Sequence, residues 1–236
     1  LKNQELNPNV AFSDSIQAGI YMKHPRIIRI KADMVDQMDY DKILSMYQDR
    51  FKDASDFTFI FVGNVDVEKM KPVIAEYLGA LPAVNRKETF KDNKIEMRQG
   101  IYKNEFTKQQ ETPKASVFAF YNGDCKYDLR NNLLLSMTSQ ILDLVYTEKV
   151  REDEGGTYGV YVGGTLQKYP KEKAILQIIF DTAPEKKEKL MKIIFGEIDN
   201  ITKTGPSEAN LNKVKEYMLK KHTCLLYTSD AADDLT

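Results

Sequence analysis

The stretch from Asp128 to Asp181 constrains the fold more than any other. Leu133, Leu134, Met137, Ile141, Leu144 and Val145 recur at helical spacing, which predicts an amphipathic helix from about Asp128 to Arg151 with that stripe buried. Such a stripe is more simply a core face than a cofactor box. An acidic turn with two glycines follows, Glu152-Asp153-Glu154-Gly155-Gly156. Thr157–Leu166 and Lys173–Asp181 then read as strands, joined through Tyr169-Pro170. Ala174–Phe180 is nearly all apolar, so the second strand is expected at the centre of its sheet. A helix running into a strand pair buries its stripe on that pair, giving helices layered over an antiparallel-rich sheet.

The remaining elements fit around this unit. Asn7-Pro8-Asn9 and His24-Pro25 read as turns, with a short helix about Ser13–Tyr21 between them. Asp39 is a candidate N-cap for a helix to Phe51, and Asp66 for a helix carrying Met70, Val73, Ile74, Tyr77 and Leu78. Pro72 should bend the latter. Phe57–Val62 is a continuous β-rich run expected as a buried strand. Gly100–Phe106 and Ala115–Tyr121 are expected as strands, with Asn122-Gly123-Asp124 as a closing turn. Pro184 opens a helix with Leu190, Ile194, Ile198 and Ile201 on one face, which Gly205-Pro206 breaks. Ser207 starts the last helix, through Leu211, Val214 and Met218. Residues 83–99 are polar and aperiodic and read as a linker. The expected division is therefore 1–82, linker 83–99 and 100–223. Residues 224–236 resemble a translated transposon-end sequencing adapter and are set aside as non-native.

Charge and composition exclude several classes. Lys plus Arg number 34 and Asp plus Glu 35, so no global field favours nucleic acid or an anionic membrane. No apolar run is long enough to span a bilayer. The strand–glycine–helix at Phe57–Tyr77 lacks a phosphate-loop pattern, which argues against nucleotide binding. Cys125 and Cys224 make neither a disulfide framework nor a zinc knuckle, and His24 and His222 lie outside any zinc-binding pattern. No metal ligands are therefore expected in this chain. It does not start with Met and reads as a piece of a longer protein.

Arg151 and Tyr158 are the candidate site residues. Arginine offers a rigid fork of donors and tyrosine a single hydroxyl donor. Together these can hold a peptide carbonyl or the oxyanion formed when one is attacked. On the local pattern alone the simpler reading is that Arg151 pairs with a surface carboxylate and Tyr158 packs in the sheet.

Four stretches, in their order and spacing, carry a family resemblance: DASDFTFIFVGNVD (53–66), YLGALP (77–82), REDEGGTYGV (151–160) and TGPSEANLNKVKE (204–216). From about Asn7 to His222 the chain resembles the later part of a pitrilysin/insulinase-family zinc peptidase, an inverzincin, of the long bacterial "zinc protease" branch. The resemblance implies an α+β fold of repeated two-layer αβ domains with antiparallel-rich mixed sheets, cut at both ends. It implies a zinc metallopeptidase acting on unfolded peptides, whose metal is held by a missing N-terminal half. Arg151 would then bind substrate, and Tyr158 would bind substrate and donate to the oxyanion. The H-x-x-E-H zinc signature is missing from these residues, so the chain alone is expected to be inactive. Its expected partners are a peptide substrate and its own missing half. A non-catalytic subunit of the same fold is the alternative. The bacterial branch suggests periplasm or cell envelope.

Overall fold

A computed structural model describes the backbone of residues 1–152 and 159–230 and the side chains of 1–150 and 159–224. Its one sheet among these residues has three strands, β1 (Ala115–Asp124), β2 (Val160–Gln167) and β3 (Lys173–Thr182), in the order β1-β3-β2. Both pairings are antiparallel, with Ala115 opposite Thr182 and Val160 opposite Phe180. The apolar run Ala174–Phe180 is central, as its composition requires.

Seven α-helices lie among the described residues, α1 (Lys2–Glu5), α2 (Pro8–Ile20), α3 (Tyr40–Phe51), α4 (Val67–Tyr77), α5 (Leu129–Tyr146), α6 (Lys187–Thr204) and α7 (Glu208–Asp230), with short 3-10 turns at Ala32–Gln37 and Pro184–Lys186. Their starts follow local chemistry. The side chains of Asn7, Asp39, Asp66 and Asp128 accept backbone N–H groups at the starts of α2, α3, α4 and α5. Pro72 lies inside α4. Gly205 ends α6, and the Ser207 hydroxyl accepts the Asn210 N–H at the start of α7.

The core lies between α5, α6 and one sheet face. Leu142, Tyr146 and Val150 pack there with Val160, Ile178, Phe180, Leu190 and Ile194. Ile141 and Val145 turn instead toward Val214 of α7. Gly164 of β2 brings helix and sheet close. A Cβ there would stand 3.0 Å from Leu135 Cγ and 3.1 Å from the Leu135 carbonyl oxygen.

Four expectations fail for identifiable reasons. Phe57–Val62 and Gly100–Phe106 form no strand and are largely exposed, because no described strand lies beside either to complete a ladder. Asn122-Gly123-Asp124 is not a turn. It extends β1, since all three residues keep partners on β3, Ile175, Ala174 and Lys173. In α5, Leu133, Leu134 and Leu144 are exposed, and Leu142 and Tyr146 are buried in their place. The helix divides its apolar surface between two neighbours, the sheet and α7, so a single-stripe reading selects the wrong rows. Residues 83–99 carry neither helix nor strand. The backbone of α7 continues through Cys224 to Asp230.

Candidate functional site

The C-terminal end of α5 is held before the candidate motif begins. Tyr146 is fully buried and donates its hydroxyl to the Ile194 carbonyl at 2.9 Å. Val150 is equally buried, and Lys149 pairs with Glu197 of α6 at 2.5 Å. Between these anchors the helix widens into a π-helical turn, Thr147–Glu152. Such turns recur at functional sites because they re-aim the residues they carry. The backbone of Arg151 lies in this turn. Its side chain, the two glycines 155–156 and Tyr158 lie outside the described residues.

Strand β2 resumes at Val160, at the sheet end where β1 begins and β3 finishes. Register then sorts the strand residues by face. Val117, Ala119, Val162, Leu176, Ile178 and Phe180 face the helices. The alternate residues Phe118, Phe120, Tyr161, Ile175, Gln177 and Ile179 form a second face. Among the described residues no helix joins this face to a core cluster. Phe118 and Phe120 stack with ring centroids 6.1 Å apart. Tyr161 is 58% exposed, and its ring leans over Gly163, where a Cβ would meet the phenol oxygen at 2.8 Å and the Gln177 amide nitrogen at 3.2 Å. The result is a half-buried apolar surface that carries a tyrosine hydroxyl and a glutamine amide beside Gly163.

Polar chemistry marks the end of this face nearest the motif. Asp181 is opposite Ser116 and accepts its hydroxyl, and Lys114 Nζ approaches at 3.0 Å. Partial burial opposes ionisation of Asp181, but the hydrogen bonds from Ser116 and Lys114 outweigh it and lower its pKa. The site reading from sequence did not include Phe118, Phe120, Tyr161 or Gln177. The signal was present: Ala115–Tyr121 is apolar at both parities, which marks a strand with two apolar faces.

The described residues do not fit a zinc ion. They contain no group of three or more His, Cys, Asp or Glu side chains able to hold a metal. His24 is committed to backbone: its Nδ1 accepts the Arg26 N–H at 3.2 Å, and its Nε2 donates to the Asn93 carbonyl at 3.2 Å. No described helix is long and apolar enough to cross a membrane.

The family description "Peptidase M16 inactive domain" matches residues 37–218. The chain belongs to this family, the M16 or pitrilysin-type peptidases. Curated relatives agree. A "Zinc protease PQQL-like" of Arabidopsis thaliana is 20% identical over 235 residues, covering 94% of this chain and 25% of the relative. A "Probable zinc protease PqqL" of Haemophilus influenzae is 21% identical over 211 residues, covering 88% and 22%. The crystal structure of the periplasmic protease PqqL from Escherichia coli superposes with a TM-score of 0.72 at 20% identity, covering 93% of this chain and 24% of that one. The α+β fold is therefore shared. The chain spans about a quarter of the length of the relatives it matches.

Proposed function

We propose that this chain is a substrate-contacting part of a larger zinc peptidase. The observation that carries the reading is the half-buried apolar face of the sheet opposite the helices, with Tyr161 exposed on the strand that follows the Arg151–Tyr158 motif. An extended, unfolded peptide can lay apolar side chains on Phe118, Phe120 and Ile179 and meet the polar atoms of Tyr161 and Gln177. Arg151 then holds a substrate carbonyl with its fork of donors. Tyr158 donates its hydroxyl to the oxyanion formed on attack of the scissile carbonyl. The metal belongs to polypeptide outside these residues, so the chain by itself does not hydrolyse peptides. Residues 83–99 act as the linker between two αβ portions. The description of the E. coli relative as periplasmic supports the same compartment here.

The test uses the full-length protein. Tyr158→Phe removes one hydroxyl, and loss of one oxyanion donor costs on the order of 100-fold or more in turnover. KM should change little, because the lost interaction forms only in the transition state. Arg151→Lys keeps the charge, loses the fork and should impair peptide use. Wild-type turnover by Tyr158→Phe on an unfolded peptide, at an unchanged melting temperature, removes the tyrosine from the mechanism. A second reading, a non-catalytic subunit of the same fold, is favoured by the description of the matched domain as inactive. It predicts no peptide cleavage by the full-length protein at all.

A further inference from the structure

We infer that Glu197 of α6 is a positioning residue for Arg151, acting through Lys149 to hold the π-helical turn in the register that aims the arginine. The inference rests on the substrate-contact reading of Arg151 and adds the group that fixes its direction.

The turn Thr147–Glu152 is where the aim of Arg151 is decided. A π turn bonds each N–H one residue further back than an α-helix does, and so inserts one extra residue. One residue of α-helix is a rotation of about 100° and a rise of about 1.5 Å. A change between π and α geometry at residues 147–152 therefore re-aims the chain that follows. Turns of this kind are rare among regular structures, so contacts outside the turn must select it.

Three contacts surround it. Tyr146 donates to the Ile194 carbonyl at 2.9 Å, but it lies before the turn. Val150 is fully buried in the cluster that holds Leu190 and Ile194, but apolar burial has no direction. Among the described side chains, the directional bond from the turn to another element is Lys149 Nζ to Glu197 at 2.5 Å. The two ends of this pair are unequal. The Glu197 side chain is 15% exposed and that of Lys149 45%. An exposed ion pair constrains little. A carboxylate so far removed from water needs its cation, which ties Lys149 to one place on α6. Ile194 and Glu197 are neighbours on one face of α6, so the two polar bonds hold the end of α5 against a single helical surface. A return to α geometry would carry Lys149 away from Glu197 and leave that carboxylate buried alone.

The experiment compares Glu197→Ala, Arg151→Lys and the double variant in the full-length protein, with an internally quenched unfolded peptide, measuring kcat, KM and the peptide's Kd. Alanine suits a helix, and the Lys149 it frees is exposed enough to turn to water, so the fold is kept. In Glu197→Ala, KM and Kd should rise about tenfold or more, the scale of one hydrogen bond from a charged group. The turnover should change little, because a bond to a substrate carbonyl made equally before and during reaction shows in KM. Loss of folded protein alone would lower kcat and leave KM as it was. The double variant should bind peptide no worse than Arg151→Lys, since both changes act on one contact. Amide hydrogen exchange gives a readout without substrate: residues 147–152 should exchange about tenfold or more faster in Glu197→Ala, with residues 135–142 unchanged. Wild-type KM and Kd in Glu197→Ala, additive losses in the double variant, or unchanged exchange in the turn each overturns the inference. Each leaves an impaired Arg151→Lys, and the proposed function with it, standing. Wild-type peptide use by Arg151→Lys removes the arginine's proposed role and this inference together.

Discussion

Tyr146→Phe separates a hydrogen bond from a packing contribution at the centre of the core. The residue has no exposed surface, and its hydroxyl donates to the Ile194 carbonyl at 2.9 Å. Phenylalanine keeps the ring and its contacts with the sheet and α6, so no cavity larger than one oxygen atom appears. The loss is then one neutral hydrogen bond, worth about 1 kcal/mol. Ile194 lies in mid-α6, where its carbonyl keeps the partner supplied by the helix itself, so the deletion leaves no orphaned acceptor. Truncation to alanine removes the ring as well and should cost about 3–5 kcal/mol. In a chain of this size about 1 kcal/mol corresponds to a melting shift of roughly 2–4 °C. The pH dependence supplies a second, independent reading. Burial, then the nearby Tyr121 and Glu197 charges, raise the Tyr146 pKa above its ordinary value of 10.0. The folded state thus holds the proton more tightly than the unfolded chain. This contribution is fully present below pH 10.0 and is lost as pH rises above that value. Urea unfolding at a series of alkaline pH values should show wild type and Tyr146→Phe converging above it. A phenylalanine variant as destabilised as the alanine variant, or one whose deficit does not narrow at high pH, refutes the assignment.

Two further outcomes test local geometry. Gly164→Ala should destabilise by about 1–3 kcal/mol in equilibrium unfolding, because its Cβ meets backbone as well as side chain of Leu135. Gly163→Ala should cost less, since the atom it meets first is the mobile end of the Tyr161 ring. Asp53 is held well below its ordinary pKa of 3.8 by the Ser55 hydroxyl, against burial, with help from the N–H groups of Val84, Ser55 and Arg86. Its folded pKa is depressed, so its contribution is present above pH 3.8 and is lost as pH falls below that value. Proteolytic nicking of residues 53–86 should therefore rise in acid in the wild type. In Asp53→Asn it should already be high at neutral pH.

The sequence and the structure agree where a segment's partners lie within the chain, and part where they do not. The caps at Asp39, Asp66 and Asp128 are local: the accepting side chain and the N–H it serves are two or three residues apart, so the sequence alone suffices. The central place of β3 was equally legible, because a strand covered by neighbours on both edges can be apolar throughout. The buried rows of α5 were not. Ile141 and Val145 answer to α7, while Leu142 and Tyr146 answer to the sheet, and helical periodicity does not say how many neighbours a helix has. Phe57–Val62 makes the same point in reverse. Its composition reports a strand in a sheet, while no strand among the described residues pairs with it. The second, half-buried face of Phe118, Phe120 and Ile179 was legible only in part, through the two-parity apolarity of β1. Arg151 and Tyr158 rest on spacing, chemistry and family membership. Their roles are decided by turnover in the full-length protein, since a side chain contributes to catalysis through what it does in the transition state rather than through where it lies in the chain.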